Sequence, residues 1–363
     1  MLCVNYWYGK MRAAVFTGHK RPLEVRDIDA PEPDPEGVVV ETDVCGICRS
    51  DWHAWQGDPL WESRGLAEGH VLGHEPAGVV VDVGEAVEQV REGDRVTVPF
   101  NLGDGTCPSC RNGHSNLCDN RIPLGLTPES PGAFAEQFHV PWADFNVVPL
   151  PESVSSVAMA GLGCRFMTSF HALVHRAELT AGDWVAVHGC GGVGLSAVHI
   201  ADALGAAVVA VDLFDEKLAV AAELGAVETV NASEVADVPE EIRAITDGGA
   251  DVSVDALGIA ETCQNSVHCL RKRGQHLQIG LTSSEEGGEV SLPTDLMVAK
   301  ELQFVGTIGM PRPRYDEIFR LIRHGKIDPA AMVSETVSIE ETGEKLASMT
   351  EFETVGIPVI DEF

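Results

Sequence analysis

The sequence predicts an α/β protein in which a doubly wound parallel sheet is joined to a second, mainly β domain. Three observations carry this. From about residue 153 onward, continuous apolar runs alternate with segments of helical periodicity, the pattern of a parallel sheet covered on both faces. Before that point, short alternating strands are punctuated by Gly, Pro and Asp, which marks an all-β region with inserted loops. A glycine turn, Gly189-x-Gly191-x-x-Gly194, sits between a strand and a helix in the second half.

Taken in order, the segment "MRAAVF" at Met11 reads as a second start, so residues 1–10 are expected to be an extension or an alternative initiation. The β region then supplies "VVVETDV", "AGVVVDVG", "RVTVPF" and "AFAEQFHV". The α/β region supplies the apolar strands "WVAVHG", "AAVVAVD", "DVSVDAL", "GQHLQIG" and "LQFVGT". A last helix in "RYDEIFRLIRHG" and a short strand in "GIPVID" end the chain and are expected to return to the first domain.

Bulk properties narrow the function classes. A length of 363 residues favours two domains. A hydrophobic content of 44% with a mean hydropathy of +0.03 is that of a globular chain, and no apolar run approaches the ~20 residues of a spanning helix. Ten cysteines, several of them in close pairs or apolar segments, suit metal binding and core packing in a reducing compartment, so a cytoplasmic location is expected. Against 25 basic residues stand 56 acidic ones, a net charge of −31. Such self-repulsion is relieved when salt shortens the Debye length to ~3 Å near 1 M, which points to a halophile. No basic stripe is present to neutralise phosphates, so neither nucleic acid nor an anionic membrane is expected as a partner.

The glycine turn reads as a dinucleotide site. Its glycines permit a tight turn and the close approach of a pyrophosphate to a helix N-terminus, with Gly192 and Val193 inside the same run. The next strand ends at Asp212, 18 residues after Gly194. An acid there accepts from the ribose hydroxyls and repels a 2′-phosphate, which selects NAD over NADP.

A second constellation lies in "DVCGICRSDWH" and "VLGHEPAG", with Cys45, Cys48, Arg49, Ser50, Asp51, His53, His74 and Glu75. Cys45-x-x-Cys48 alone would suit half of a zinc ribbon, but no matching pair follows at suitable spacing. With these residues in view the chain resembles the zinc-dependent alcohol dehydrogenase family of the medium-chain dehydrogenase superfamily. The resemblance runs nearly full length from Met11 and rests on four motifs in one order: "CGICRSDWH", "GHEPAGVVVDVGEAV", "AGLGCRFMTSFHAL" and "GCGGVG".

That resemblance implies a Rossmann domain over 166–308 and a GroES-like catalytic domain over 11–165 and 309–363. It implies Cys48, His74 and Cys164 as catalytic zinc ligands, a set that agrees with the Cys₂His pattern of catalytic zinc. Ser50 and His53 would relay the proton, Arg49 would meet the cofactor pyrophosphate, and Asp51 would orient His74. Glu75 would be a carboxylate beside the metal or a transient ligand. Thr168 would pack on the nicotinamide, and Lys217 would reach the ribose. Cys45 would not be a ligand. An arginine that commonly meets the cofactor phosphate is replaced here by Ile357.

The family's structural zinc lobe, here 101–121, usually carries four cysteines at spacings of three, three and eight, and this chain has Asp104, Cys107, Cys110 and Cys118. Aspartate is an accepted zinc ligand; His114 is the competing fourth ligand. The implied activity is hydride transfer between an alcohol and NAD, with a polyol or sugar dehydrogenase as the alternative, in a homo-oligomer of two or four chains. Cys164, where polyol dehydrogenases often carry glutamate, favours alcohols, as do Trp52, Trp55, Trp61 and Phe166 if they line an apolar pocket.

Overall fold

The computed structural model describes residues 9–283, 285–351 and 354–363. The proposed extension 1–10 therefore lies mostly outside the described residues, although Lys10 already begins the strand Lys10–Val15, which pairs antiparallel with Glu24–Asp29.

The second half forms a parallel sheet in the order Glu228–Asn231, Ala207–Asp212, Trp184–His188, Ala250–Asp255, Leu270–Gln278, Gln303–Gly306. The strand of this sheet that comes first in sequence, Trp184–His188, lies at the middle, so the order reverses beside it, and that crevice is where such sheets bind ligands. Val185, Val187, Val208, Val209 and Val254 are fully buried, as a strand covered on both faces requires. The edge strand Glu228–Asn231 was not expected from its polar sequence "ETVN"; it pairs with Val209–Asp212 despite two exposed residues.

The mainly β domain is built on a sheet ordered Val333–Ser338, Ile357–Glu362, Val38–Gly46, Pro76–Val83, Arg95–Thr97, Val148–Pro149. Gln137–Val140 pairs with the early part of Val38–Gly46, and this is the only part of "AFAEQFHV" that is strand. The rest of that segment bonds elsewhere: Ala133 and Phe134 donate to the carbonyls of Gly73 and Leu72, fixing the turn before His74. The last strand returns as expected, with Val359 opposite Gly46 and Ile360 opposite Cys45.

One helix, Cys164–Phe170, joins the two halves. Its Phe166, Met167 and Phe170 share a continuous apolar core with Val44 and Ala77 on one side and Val187 and Leu195 on the other. The helix runs directly into a π-helical stretch, His171–Arg176, an expansion of a kind often found near functional sites.

A buried histidine at the end of the central strand sets an acid limit. His188 is 1% exposed, its Nε2 lies 3.6 Å from the Cys269 sulfur, and burial together with His276 pushes its pKa down to about 3. The unfolded chain takes up a proton near pH ~6.5 while the folded one does not, so stability from this residue is complete above ~6.5 and falls as the pH drops towards 3. Between pH 7 and pH 5 the loss is about 2 kcal/mol. Chemical denaturation of the wild type and of His188→Gln at both pH values should show that excess loss in the wild type alone; equal losses would refute it.

Candidate active site and nucleotide turn

Cys48 caps the helix Arg49–Gln56 in an extended conformation, and Asp51 closes the cap by accepting from the Cys48 N–H at 3.0 Å. The Asp51 carboxylate is fully buried and also accepts from the Gly73 N–H at 3.1 Å and from His74 Nδ1 at 2.8 Å. This gives Nδ1 the proton and leaves Nε2 with a lone pair. That atom is buried and without a hydrogen-bond partner among the described residues. Its neighbours are the sulfurs of Cys48 and Cys164, and ligand atoms of Cys48, His74, Glu75 and Cys164 lie within 4.8 Å of one another. An orphaned imidazole nitrogen among two thiols fits zinc, whose open catalytic sites take this donor set. The hydrogen bond with Cys164, burial and the Glu75 carboxylate push the Cys48 thiol well above its ordinary pKa, a penalty that a bound cation reverses.

Glu75 stands close to the cluster, but its carboxylate is engaged. Arg165 Nε donates to Oε1 at 3.2 Å, Nη2 donates to Oε2, and the Arg165 backbone N–H approaches Oε1 at 3.4 Å. Cys45 is buried outside the cluster with its thiol directed at the Gly46 carbonyl, 3.6 Å away.

In the lobe, ligand atoms of Asp104, Cys107, Cys110 and Cys118 also lie within 4.8 Å of one another. Asp104 Oδ1 is 3.4 Å from the Cys118 sulfur and 3.7 Å from that of Cys110. The carboxylate is oriented by Asn120 Nδ2 at 2.6 Å and by the Thr106 N–H at 2.8 Å, which hold its pKa far below the usual carboxylate range. His114 is exposed at the start of a short 3₁₀ turn and is not part of this group.

The nucleotide turn has the conformation its glycines permit. Gly189 has φ +93, and a Cβ on Gly194 would meet the Gly189 carbonyl oxygen at 1.7 Å. Gly191 caps the helix Gly192–Ala203 without a side chain, which leaves the first N–H groups, including that of Val193, open to an anion. Asp212 ends the neighbouring strand and accepts from the Cys190 N–H at 2.7 Å, so its carboxylate lies against the turn. Lys217 is buried, with its ammonium 4.9 Å from the centre of the Phe214 ring.

Ser50 and His53 lie one helical turn apart and so share a face. His53 Nδ1 pairs with Asp58, and burial, helped by Arg49, lowers the His53 pKa below its ordinary value. Arg49 stacks over the Trp52 ring at 3.9 Å and donates to the Met349 carbonyl; burial pushes its pKa down to about 10. The Thr168 hydroxyl donates to the Cys164 carbonyl at 2.7 Å and accepts from the Gly309 N–H at 3.1 Å. Trp52, Trp55 and Trp61 do not form a separate apolar pocket: they pack into the β-domain core with Ala54, Val71 and Leu72, and Phe166 is buried in the shared core. Asp58 and Arg165 were missed from the sequence. A carboxylate five residues after His53 was a usable signal; nothing local announces that the arginine after Cys164 is buried.

These contacts give two tests by metal analysis. Asp51→Ala should weaken zinc binding at the Cys48 site by roughly 10–100-fold in a chelator competition, as loss of an orienting partner does; unchanged retention would refute the role of Asp51. Asp104→Ala should lower zinc from two to one per chain and reduce thermal stability, whereas Asp104→Cys should keep both; two retained zincs in the alanine variant would exclude the carboxylate as a ligand.

Comparison with known proteins agrees with this geometry. Residues 34–152 match the alcohol dehydrogenase GroES-like domain, and residues 192–324 match the zinc-binding dehydrogenase domain. An NAD-dependent alcohol dehydrogenase of Sulfurisphaera tokodaii is 33% identical over 96% of this chain and 99% of its own length. Its namesake from Saccharolobus solfataricus is 32% identical with the same coverage. The structure of alcohol dehydrogenase TADH from Thermus sp. ATN1 superposes with a TM-score of 0.88 at 31% identity, covering 96% of this chain and 99% of that one. With two family domains matched in order and relatives about a third identical over nearly its whole length, this chain belongs to the zinc-binding alcohol dehydrogenase family, as a GroES-like domain joined to a Rossmann domain.

Proposed function

We infer that the protein is an NAD-dependent zinc alcohol dehydrogenase, interconverting alcohols with aldehydes or ketones. The observation that carries this is the buried Cys48–His74–Cys164 cluster with its unpartnered imidazole nitrogen, in a chain that also has an open dinucleotide turn. Zinc held by Cys48, His74 and Cys164 would act as a Lewis acid on the substrate oxygen, and NAD would take up or supply the hydride.

The chain's own residues have separate tasks. Asp51 keeps His74 in the tautomer that presents Nε2. Ser50 passes the alcohol proton outward, and His53 accepts it at Nε2 while Asp58 holds Nδ1. Asp212 and Lys217 bind the adenosine ribose, and the Gly189–Gly194 turn with Arg49 receives the pyrophosphate. Thr168, held between the Cys164 carbonyl and Gly309, packs on the nicotinamide. Asp104, Cys107, Cys110 and Cys118 hold a second, structural zinc. The domain limits follow as 11–165 with 309–363 for the catalytic domain and 166–308 for the cofactor domain.

Substrate, setting and assembly extend this reading. Cys164 in the ligand set favours simple alcohols over polyols and sugars. A charge of −31 favours a salt-adapted cytoplasm. No helix among the described residues is long and apolar enough to cross a membrane. A dimer or tetramer is the assembly proposed.

NAD reduction across a panel of primary and secondary alcohols, polyols and sugars, at low and at multimolar KCl, tests these points together. Turnover confined to alcohols and rising with salt is expected; turnover confined to sugars would favour the alternative substrate class, and none at any salt would sink the enzyme reading. For the relay, alcohol oxidation should lose rate on acidification as His53 becomes protonated, with the midpoint below ~6.5 because its pKa is lowered. His53→Gln should be slower and should lack that acid limb. An unchanged profile in the variant would remove His53 from the proton path.

A further inference from the structure

The buried pair of Glu75 and Arg165 occupies a cage formed by three glycines. A Cβ at Gly46 would lie 2.5 Å from Glu75 Oε2 and 3.2 Å from Arg165 Nη2, and one at Gly163 would lie 2.5 Å from Glu75 Cδ. One at Gly192 would lie 2.3 Å from Arg165 Cδ and 3.3 Å from both Nε and Nη1. Gly192 is the first residue of the helix that follows the dinucleotide turn. The guanidinium therefore rests against the backbone at which a pyrophosphate docks.

Its hydrogen-bond capacity is not used up. A guanidinium carries five N–H donors. Nε and Nη2 each direct one to Glu75, and Nη1 directs one to the Ile47 carbonyl at 3.2 Å. That leaves one on each terminal nitrogen, and Nη1 is among the three atoms nearest to the Gly192 position. Arg165 is 5% exposed, so this charge is shielded from solvent and held in a fixed orientation.

The position that would carry a phosphate-binding arginine at the end of the chain holds Ile357, which is fully buried in the apolar core. Its neighbour Pro358 accepts from the Ile47 N–H at 3.0 Å, so residues 357 and 165 approach the same short segment of backbone.

We propose that Arg165 is the positioning residue for the cofactor pyrophosphate in this chain, delivering from the helix after Cys164, beneath Gly192, the cation that the terminal strand lacks. The inference rests on the NAD reading above. Glu75 fixes the direction of the guanidinium fork, and the donor left on Nη1, beside Gly192, faces the anion.

The test is calorimetric binding of NAD⁺, ADP-ribose and adenosine to the zinc-replete protein without substrate. The double variant Glu75→Gln/Arg165→Met removes both charges together, so neither is left buried and unpaired. It should keep its zinc and its melting temperature but bind NAD⁺ and ADP-ribose roughly ten- to a hundredfold more weakly, while adenosine, which has no pyrophosphate, binds as in the wild type. Arg165→Lys, which keeps the charge but loses the fork, should show a smaller loss confined to the same two ligands. Wild-type affinity for ADP-ribose in either variant would overturn the proposal and reduce the pair to a brace for Glu75. An equal loss for all three ligands would also overturn it, because it would mean general damage to the cofactor site. Failure of the wild type to bind NAD⁺ or ADP-ribose would overturn the NAD reading itself.

Discussion

The carboxylate of Asp51 ties together two loops that the chain otherwise keeps far apart. It accepts from the N–H of Cys48, from the N–H of Gly73 and from the imidazole of His74, at 3.0, 3.1 and 2.8 Å. A buried anion without partners costs several kcal/mol, and three directed donors offset that cost only in one geometry. The same geometry places a sulfur and an imidazole nitrogen side by side. The cap of one helix thus doubles as the alignment of a metal site, and the site inherits the rigidity of the fold.

The third sulfur comes from the helix Cys164–Phe170, which shares its apolar face with both sheets. Chemistry that needs a metal cluster and a dinucleotide at a fixed separation depends on such a bridge. The helix carries Cys164 at its start, Arg165 against Gly192, and Thr168 against Gly309, so one rigid element touches the metal side, the phosphate side and the returning segment of chain.

Much of this was legible beforehand, and the exceptions have physical causes. The parallel sheet is visible because Trp184–His188 and Ala207–Asp212 are built on uninterrupted valine and alanine runs, and the dinucleotide turn because glycine alone tolerates its φ and its close contacts. The ligand clusters are legible only through the family resemblance, because Cys48, His74 and Cys164 lie far apart in the chain and Asp104 stands where the family usually has cysteine. Edge strands such as Glu228–Asn231 and Val333–Ser338 were not visible, because solvent exposure frees them from an apolar pattern. The three tryptophans after Cys48 read as pocket lining but are core residues, since composition near a ligand does not say which way a ring points. Arg165 was invisible for a related reason: a buried arginine is specified by its partners, here Glu75, which lies 90 residues away in the chain.

The aspartate in the cysteine lobe also changes how that lobe meets oxidants. Four thiols stripped of metal can close two disulfides and shut the ligands away as a fully paired set. Three thiols can close only one, such as between Cys107 and Cys118, whose sulfurs stand 3.8 Å apart, and the third sulfur stays reduced beside a carboxylate that no oxidant of thiols consumes. That remaining thiol can attack the new disulfide, which moves the bond among the three sulfurs without reducing it, and returning all three to thiols takes two electrons from an external thiol.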